Sequence, residues 1–280
     1  MKAQNIHLRT VTSFGAEWLT YNQAAIAGLK STSARFQEYF SIFPWDTLPE
    51  NAEGADVGCG SGRWALQVAP RVGTLHCVDA SAGAIEIARR NLSKQTNCKF
   101  HHVSVDEIPL PRASLDFCYS LGVLHHVPDT FEGIKSCVGL LKPGAPFLLY
   151  LYYALETRAL WYRSLWRMSD VLRRAISRLP YWPKRLVCET IAFGVYLPLA
   201  CLASLVQRLG ANPEKLPLSW YRDKPLHTLR TSAFDRFGTE LEQRFTRSQI
   251  ERMMLDAGLV DIRFSDKEPY WCAVGRKALG

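Results

Sequence analysis

An α/β fold with an open, mostly parallel sheet is predicted by three features of this sequence. Short apolar segments alternate with helical patterns from 52 to 153. The first of these segments runs into a glycine-rich turn, Asp56-Val57-Gly58-Cys59-Gly60-Ser61-Gly62, and the second closes on a lone acid, Asp79. Near the end of the chain, a helical stretch is followed by two strand-like stretches with only a tight turn between them, which form an antiparallel hairpin. At 280 residues the chain fits one such domain with an elaboration, or two small domains.

Residues 1–50 read as helical. Spacings of three and four among Phe14, Trp18, Tyr21, Phe36, Tyr39, Phe40 and Phe43 give an apolar face, which either packs on the sheet or closes over a ligand. Strands are predicted at 53–57, 74–79, 98–103, 115–120 and 145–152. Helices are predicted at 63–70, 82–95 and 129–140, and right-handed crossovers join the set. Leu140-Leu141-Lys142-Pro143-Gly144 supplies the breakers that end the last of these helices. A helix from Thr246 to Ala257 stops at Gly258, and Leu259–Ser265 and Glu268–Gly275 form the hairpin.

About ninety residues between the fifth strand and that hairpin exceed what the sheet needs. Trp161, Leu165, Met168, Leu172, Ile176 and Leu179 form one stripe, with Arg163, Arg167, Arg174 and Arg178 on another face. Residues 190–207 carry no charge but are interrupted by Gly194 and Pro198, which weighs against a membrane span. The chain is therefore divided into an N-terminal helical lid (1–50), a Rossmann-like cofactor-binding core (51–153), a helical cap insertion (154–245) and a closing helix and hairpin (246–280).

Charge and cysteine usage narrow the setting. Of a net charge of +8, much is regional: eight basic residues lie from Arg158 to Arg185. That concentration argues against steering of nucleic acid by the whole protein, and makes peripheral membrane contact through 158–185 an alternative to a buried cap. Eight cysteines occur without a C-x-x-C pair, and Cys59, Cys77 and Cys118 fall in apolar strands, so a reducing cytoplasmic setting is expected. The N-terminus shows no secretory apolar run. His101-His102 and His125-His126 lack the spacing of a metal site, and none is expected.

The glycine turn allows close backbone approach to a ligand, the following helix offers free N–H groups, and Asp79 is placed to accept from a ribose diol. This is a nucleoside-cofactor site. Read from Gly60, the run Gly60-x-Gly62-x-x-Ala65 fits a dinucleotide fingerprint and keeps an oxidoreductase in play. Read from Asp56, the chain resembles the class I S-adenosylmethionine-dependent methyltransferases. Ile108-Pro109-Leu110-Pro111, Ser114-Leu115-Asp116-Phe117, Leu124-His125-His126-Val127 and Leu140-Leu141-Lys142-Pro143-Gly144 follow in that family's order.

The resemblance implies S-adenosyl-L-methionine as cofactor. Asp56, Gly58, Cys59 and Gly60 would lie beneath its methionine and ribose portions, Asp79 on the ribose hydroxyls and Ala80 beside the adenine. Relatives carry an acid where Ser104 stands, so Ser104, Val105 or Asp106 takes the adenine amino group. Ser120 and Leu121 would floor the methyl site. The run Phe14-Gly15-Ala16-Glu17-Trp18 resembles a family lid, which puts Trp18 and Tyr21 over the cofactor. His125 and His126 are candidate bases and Tyr152 a candidate acceptor-positioning group. The function so implied is methyl transfer to an oxygen or nitrogen of a small, partly hydrophobic metabolite. A membrane-surface enzyme for a lipid or quinone-like acceptor is the alternative.

Overall fold

The computed structural model describes residues 4–15, 29–267 and 271–279, the side chains of 29–34 and 215 excepted. The chain forms two compact units, Met1–Glu156 with Leu241–Gly280, and Thr157–Glu240.

In the first unit, seven strands form one sheet: β1 (Glu53–Val57), β2 (Thr74–Asp79), β3 (Cys98–His102), β4 (Phe117–Leu121), β5 (Pro146–Tyr150), β6 (Leu259–Phe264) and β7 (Cys272–Lys277). Their spatial order is β3-β2-β1-β4-β5-β7-β6. Strands β1 to β5 are parallel, joined by crossovers that contain helices except between β3 and β4, whereas β7 runs antiparallel between β5 and β6. Alternation along the strands feeds two apolar layers. Phe36, Phe40, Leu75, Phe117 and Tyr119 fill one face; Ala55, Val57, Phe147, Ile250 and Met254 fill the other.

Several boundaries differ from expectation. Leu115 makes only an isolated bridge to Leu141, so β4 starts two residues late, and Tyr153 bridges Phe245 beyond the end of β5. The predicted 63–70 helix is one turn, Ala65–Val68, followed by a 3-10 turn into which Pro70 fits. The predicted 82–95 helix ends at Asn91. The closing helix, Arg247–Asp256, is as expected and starts with a Thr246/Gln249 capping box.

The second unit is helical: Leu160–Ile176, Tyr181–Ile191, Leu197–Arg208 and Leu226–Gly238. A wide π-helical turn, Ala192–Tyr196, joins the second and third of these into one rod, Tyr181–Arg208. That turn is the physical answer to Pro198, which has no N–H to give and whose ring crowds the carbonyl four residues back. The helix Leu226–Gly238 packs against both Leu160–Ile176 and Tyr181–Ile191. Polar contacts bind the unit together. Arg173 Nε donates to Asp170 Oδ1 at 2.7 Å and its Nη1 donates to the Thr239 carbonyl at 2.8 Å, while Arg230 grips Glu189 with two bonds of 2.7 Å.

One expectation is reversed here. The apolar stripe predicted to be buried in a cap faces outward at Trp161, Leu165, Met168 and Leu172, whereas Asp170 and Arg173 are buried. The ion pair sits on the opposite side of the helix and reaches backbone carbonyls, so it fixes the rotation of Leu160–Ile176 about its axis.

Candidate functional site

A cleft opens at the carboxyl ends of β1, β2 and β4, where strand order reverses between β1 and β4. The β1–β4 ladder runs only to Asp56↔Tyr119. Past that point Ser120 Oγ donates to the Val57 carbonyl at 2.9 Å, holding the strands together where backbone pairing ends. Ser120 is thus wholly buried and off the cleft wall, contrary to the role predicted for it, while the adjacent Leu121 lines the cleft.

The glycine turn is set by hydrogen bonds from both Gly58 N (2.7 Å) and Cys59 N (2.9 Å) to one carbonyl, that of Val78. Gly58 has φ +82, and a Cβ there would stand 2.3 Å from Val123 Cγ2. Gly58, Cys59 and Gly60 all line the cleft. Asp79 ties the turn to the next helix: Oδ2 accepts from Gly60 N at 2.9 Å and Oδ1 from Ser81 N at 2.8 Å. Burial pushes its carboxyl above the usual range, against the pull of the Ser81 and Gly60 N–H groups. Each oxygen retains a lone pair for a ligand hydroxyl. Ser81, not Asp79, caps the helix Ala82–Asn91, accepting from Ala84 N at 3.3 Å.

Asp56 is placed differently from prediction. It is buried behind the turn, on the face shared with Tyr119, and does not line the cleft. Burial raises its carboxyl to about 7; the Tyr119 phenol and Arg63 lower it, and Asp79 raises it further. Its Oδ2 closes no hydrogen bond within the described residues.

After β3, Ser104 and Val105 line the cleft beside Ala80. Asp106 does not. Its Oδ1 accepts from Ser104 Oγ at 2.6 Å and its Oδ2 from Asn5 N at 3.0 Å, so the acid offered by the sequence as a substitute adenine partner instead anchors the N-terminal segment. Trp18 and Tyr21 lie outside the described residues.

The two histidines differ in what they face, although they share the 3-10 turn Leu124–His126 and their ring centroids are 4.1 Å apart. His126 lines the cleft, and its Nδ1 bonds the Leu241 carbonyl at 2.7 Å; a carbonyl only accepts, so Nδ1 holds the proton and the lone pair of the neutral ring is on Nε2. His125 is fully buried, packed at a tilt on Tyr152 with ring centroids 3.8 Å apart, and burial holds its pKa well below the usual imidazole value. Neither His125 nor Tyr152 reaches the cleft wall. Replacing His125 by alanine therefore acts on stability, removing about 3 kcal/mol of packing in thermal unfolding, with nucleoside affinity little changed.

Residues 8–15 are helical, and Thr10, Val11 and Phe14 from this segment wall the cleft. Asn5 fixes the approach: its amide donates to the Asp129 carbonyl at 2.7 Å and its carbonyl accepts from Asp129 N at 2.8 Å. Phe14 meets His126 edge-on at 4.9 Å. Of the cleft residues, Asn5 and Thr10 had no local sequence signal, because contacts across more than a hundred residues place them.

A seven-stranded sheet in this order, with an antiparallel penultimate strand and a glycine turn at the β1 end, defines the class I methyltransferase architecture. A nucleotide-binding dehydrogenase sheet continues in parallel instead. Residues 55–149 match the family model described as a methyltransferase domain. An uncharacterized methyltransferase of Mycobacterium bovis is 26% identical over 159 residues, 54% of this chain and 80% of that protein. A ubiquinone biosynthesis O-methyltransferase of Alkalilimnicola ehrlichii is 33% identical over 93 residues, 32% of this chain and 37% of that protein. Among solved structures, a SAM-dependent methyltransferase of Methanosarcina mazei superposes with a TM-score of 0.51 at 18% identity, covering 84% of this chain and 96% of that one, and so matches in fold. Through this core segment the chain resembles the class I methyltransferases.

Proposed function

We propose that the cleft binds S-adenosyl-L-methionine and that the protein transfers its methyl group to an oxygen or nitrogen of a small, partly hydrophobic metabolite. The observation that carries this reading is the Asp79 carboxylate, clamped by Gly60 N and Ser81 N and facing the cleft beside the glycine turn. The chain's residues fit the cofactor. Asp79 would take the ribose hydroxyls, and Ala80, Ser104 and Val105 the adenine. Arg63, on the cleft wall, offers its guanidinium to the carboxylate of the methionine portion, while the Asp56 carboxyl, buried behind the glycine turn, acts on the ammonium only through its field.

When bound, the cofactor supplies a methyl group already activated by its sulfonium charge. The chain must orient an acceptor and exclude water. Val11, Phe14, Val123 and Val127 give the wall an apolar character that suits a partly hydrophobic acceptor. His126 takes a proton on Nε2, and the Leu241 carbonyl steadies the imidazolium through Nδ1–H. The ubiquinone-pathway relative, named as an O-methyltransferase, supports oxygen as the methylated atom.

Thermal shift tests the cofactor. S-adenosylhomocysteine at a hundredfold excess over its Kd stabilises by about 2.7 kcal/mol, whereas NAD leaves the melting temperature unchanged; the reverse outcome selects an oxidoreductase. Asp79→Asn, which keeps the size of the side chain, weakens S-adenosylhomocysteine about 30-fold. For the base, His126→Gln lowers label transfer from methyl-labelled donor into metabolite extracts by a factor on the order of 10² or more, at unchanged donor affinity. Equal turnover by His126→Gln would remove the histidine from the mechanism.

A further inference from the structure

The second unit, Thr157–Glu240, is built inside out along two helices. Asp170 and Arg173 are 9% and 4% exposed, while Met168, Val171, Trp182 and Leu186 are 67–71% exposed. On Leu160–Ile176 the outward stripe runs through Trp161, Leu165, Met168 and Leu172, at spacings of four, three and four, so it is one continuous face. The rod Tyr181–Arg208 is likewise one-sided. Cys188, Ala192, Tyr196, Ala200 and Ala203 are buried along one line, and Trp182, Leu186, Phe193, Leu202 and Leu205 are exposed. By length and composition this 28-residue rod could cross a membrane. Its packed small-residue face and the Pro198 turn instead describe a helix that packs within its own unit and offers its other side outward.

Charge identifies what covers these faces. Arg167, Arg174 and Arg178 are exposed on one flank of the first stripe, and Arg185 lies over the Trp182 ring at the start of the rod. The acid nearest the stripe, Asp170, is turned inward onto Arg173 and Arg174. Apolar side chains including tryptophans, edged by arginines, match the two layers of an anionic lipid surface: acyl chains below, phosphates at the rim. A second copy of the chain would bring the same arginines together, which its own charge opposes.

We infer that the Thr157–Glu240 unit docks on an anionic phospholipid surface through the exposed apolar faces of Leu160–Ile176 and Tyr181–Arg208. The inference goes beyond the proposed methyl transfer and is read without it, since vesicle binding needs neither cofactor nor acceptor.

The test is flotation of the full chain with vesicles of phosphatidylcholine alone and of phosphatidylcholine with phosphatidylglycerol, alongside light scattering of the free protein. The wild type floats with the anionic vesicles, and added salt weakens it. Met168→Glu/Leu172→Glu and Leu186→Glu, all at exposed positions, each reduce vesicle affinity roughly tenfold or more with the melting temperature and S-adenosylhomocysteine shift unchanged. Arg167→Glu/Arg178→Glu lowers affinity for anionic vesicles and removes the salt dependence. The inference is overturned if the wild type fails to float, if the glutamate variants float as well as the wild type, or if the wild type is a dimer that those variants make monomeric.

Discussion

Gly58→Ala lowers the melting temperature by about 10 °C and abolishes measurable S-adenosylhomocysteine binding. Two costs add. An alanine at φ +82 pays for a left-handed backbone, about 1 kcal/mol. Its Cβ also lands 2.3 Å from Val123 Cγ2 and 2.7 Å from Val123 Cβ, and a β-branched neighbour cannot swing away, which adds about 2 kcal/mol. For a chain of this size each kcal/mol moves the midpoint about 3 °C. Binding suffers more than stability, because Gly58 and Val123 both line the cleft and relief of the clash moves one or both. Gly258→Ala is the control: φ is +91 with nothing within 4 Å, so only the backbone cost remains. Val123→Ala in the Gly58→Ala background restores part of the loss, since the Cβ contact at 2.7 Å persists. Equal effects of Gly58→Ala and Gly258→Ala would show that Val123 does not constrain the turn.

The same contrast between local and distant causes explains what could be read from the sequence. The sheet, the glycine turn and Asp79 follow from residues within about twenty positions of one another, where periodicity and turn chemistry are informative. The antiparallel end of the sheet was legible because β6 and β7 are too close in sequence for a crossover. The side of a turn that a side chain faces was not legible. Leu124-His125-His126 reads the same whichever histidine enters the cleft, and only the Leu241 carbonyl, 115 residues away, decides for His126. Asp106 offered an acid at a plausible position, but Ser104 and Asn5 claim it. Helical periodicity located the stripe on Leu160–Ile176 without saying whether it faces in or out. That choice falls to the buried pair Asp170–Arg173 and the carbonyls of Thr239 and Glu240, which no pattern of spacing reveals.

Asp56 gives the largest expected pH effect. Its folded-state value of about 7 lies above the ordinary 3.8 because burial disfavours the carboxylate. The folded protein therefore holds a proton that the unfolded chain releases. Stability from this group is complete below pH 3.8, falls as pH rises and levels off above about 7. The whole change is about 4 kcal/mol, since each tenfold gain in proton affinity on folding is worth about 1.4 kcal/mol. Asp56→Asn cannot ionise, so the variant gains on the wild type from acid to neutral pH and melts several degrees higher at pH 8. Its binding behaviour is opposite. A ligand ammonium near Asp56 favours the carboxylate, so wild-type affinity for S-adenosylhomocysteine rises about fivefold from pH 6 to pH 7 and about tenfold by pH 8, then flattens as the free carboxyl ionises. The variant binds weakly and without that rise. Titration calorimetry across pH 6 to 8 reads both curves, and proton release by the wild type near pH 6 is seen as a dependence of the heat on the buffer. A wild-type affinity that does not change over this range would separate Asp56 from the ligand, and leave its buried charge as a cost of the fold alone.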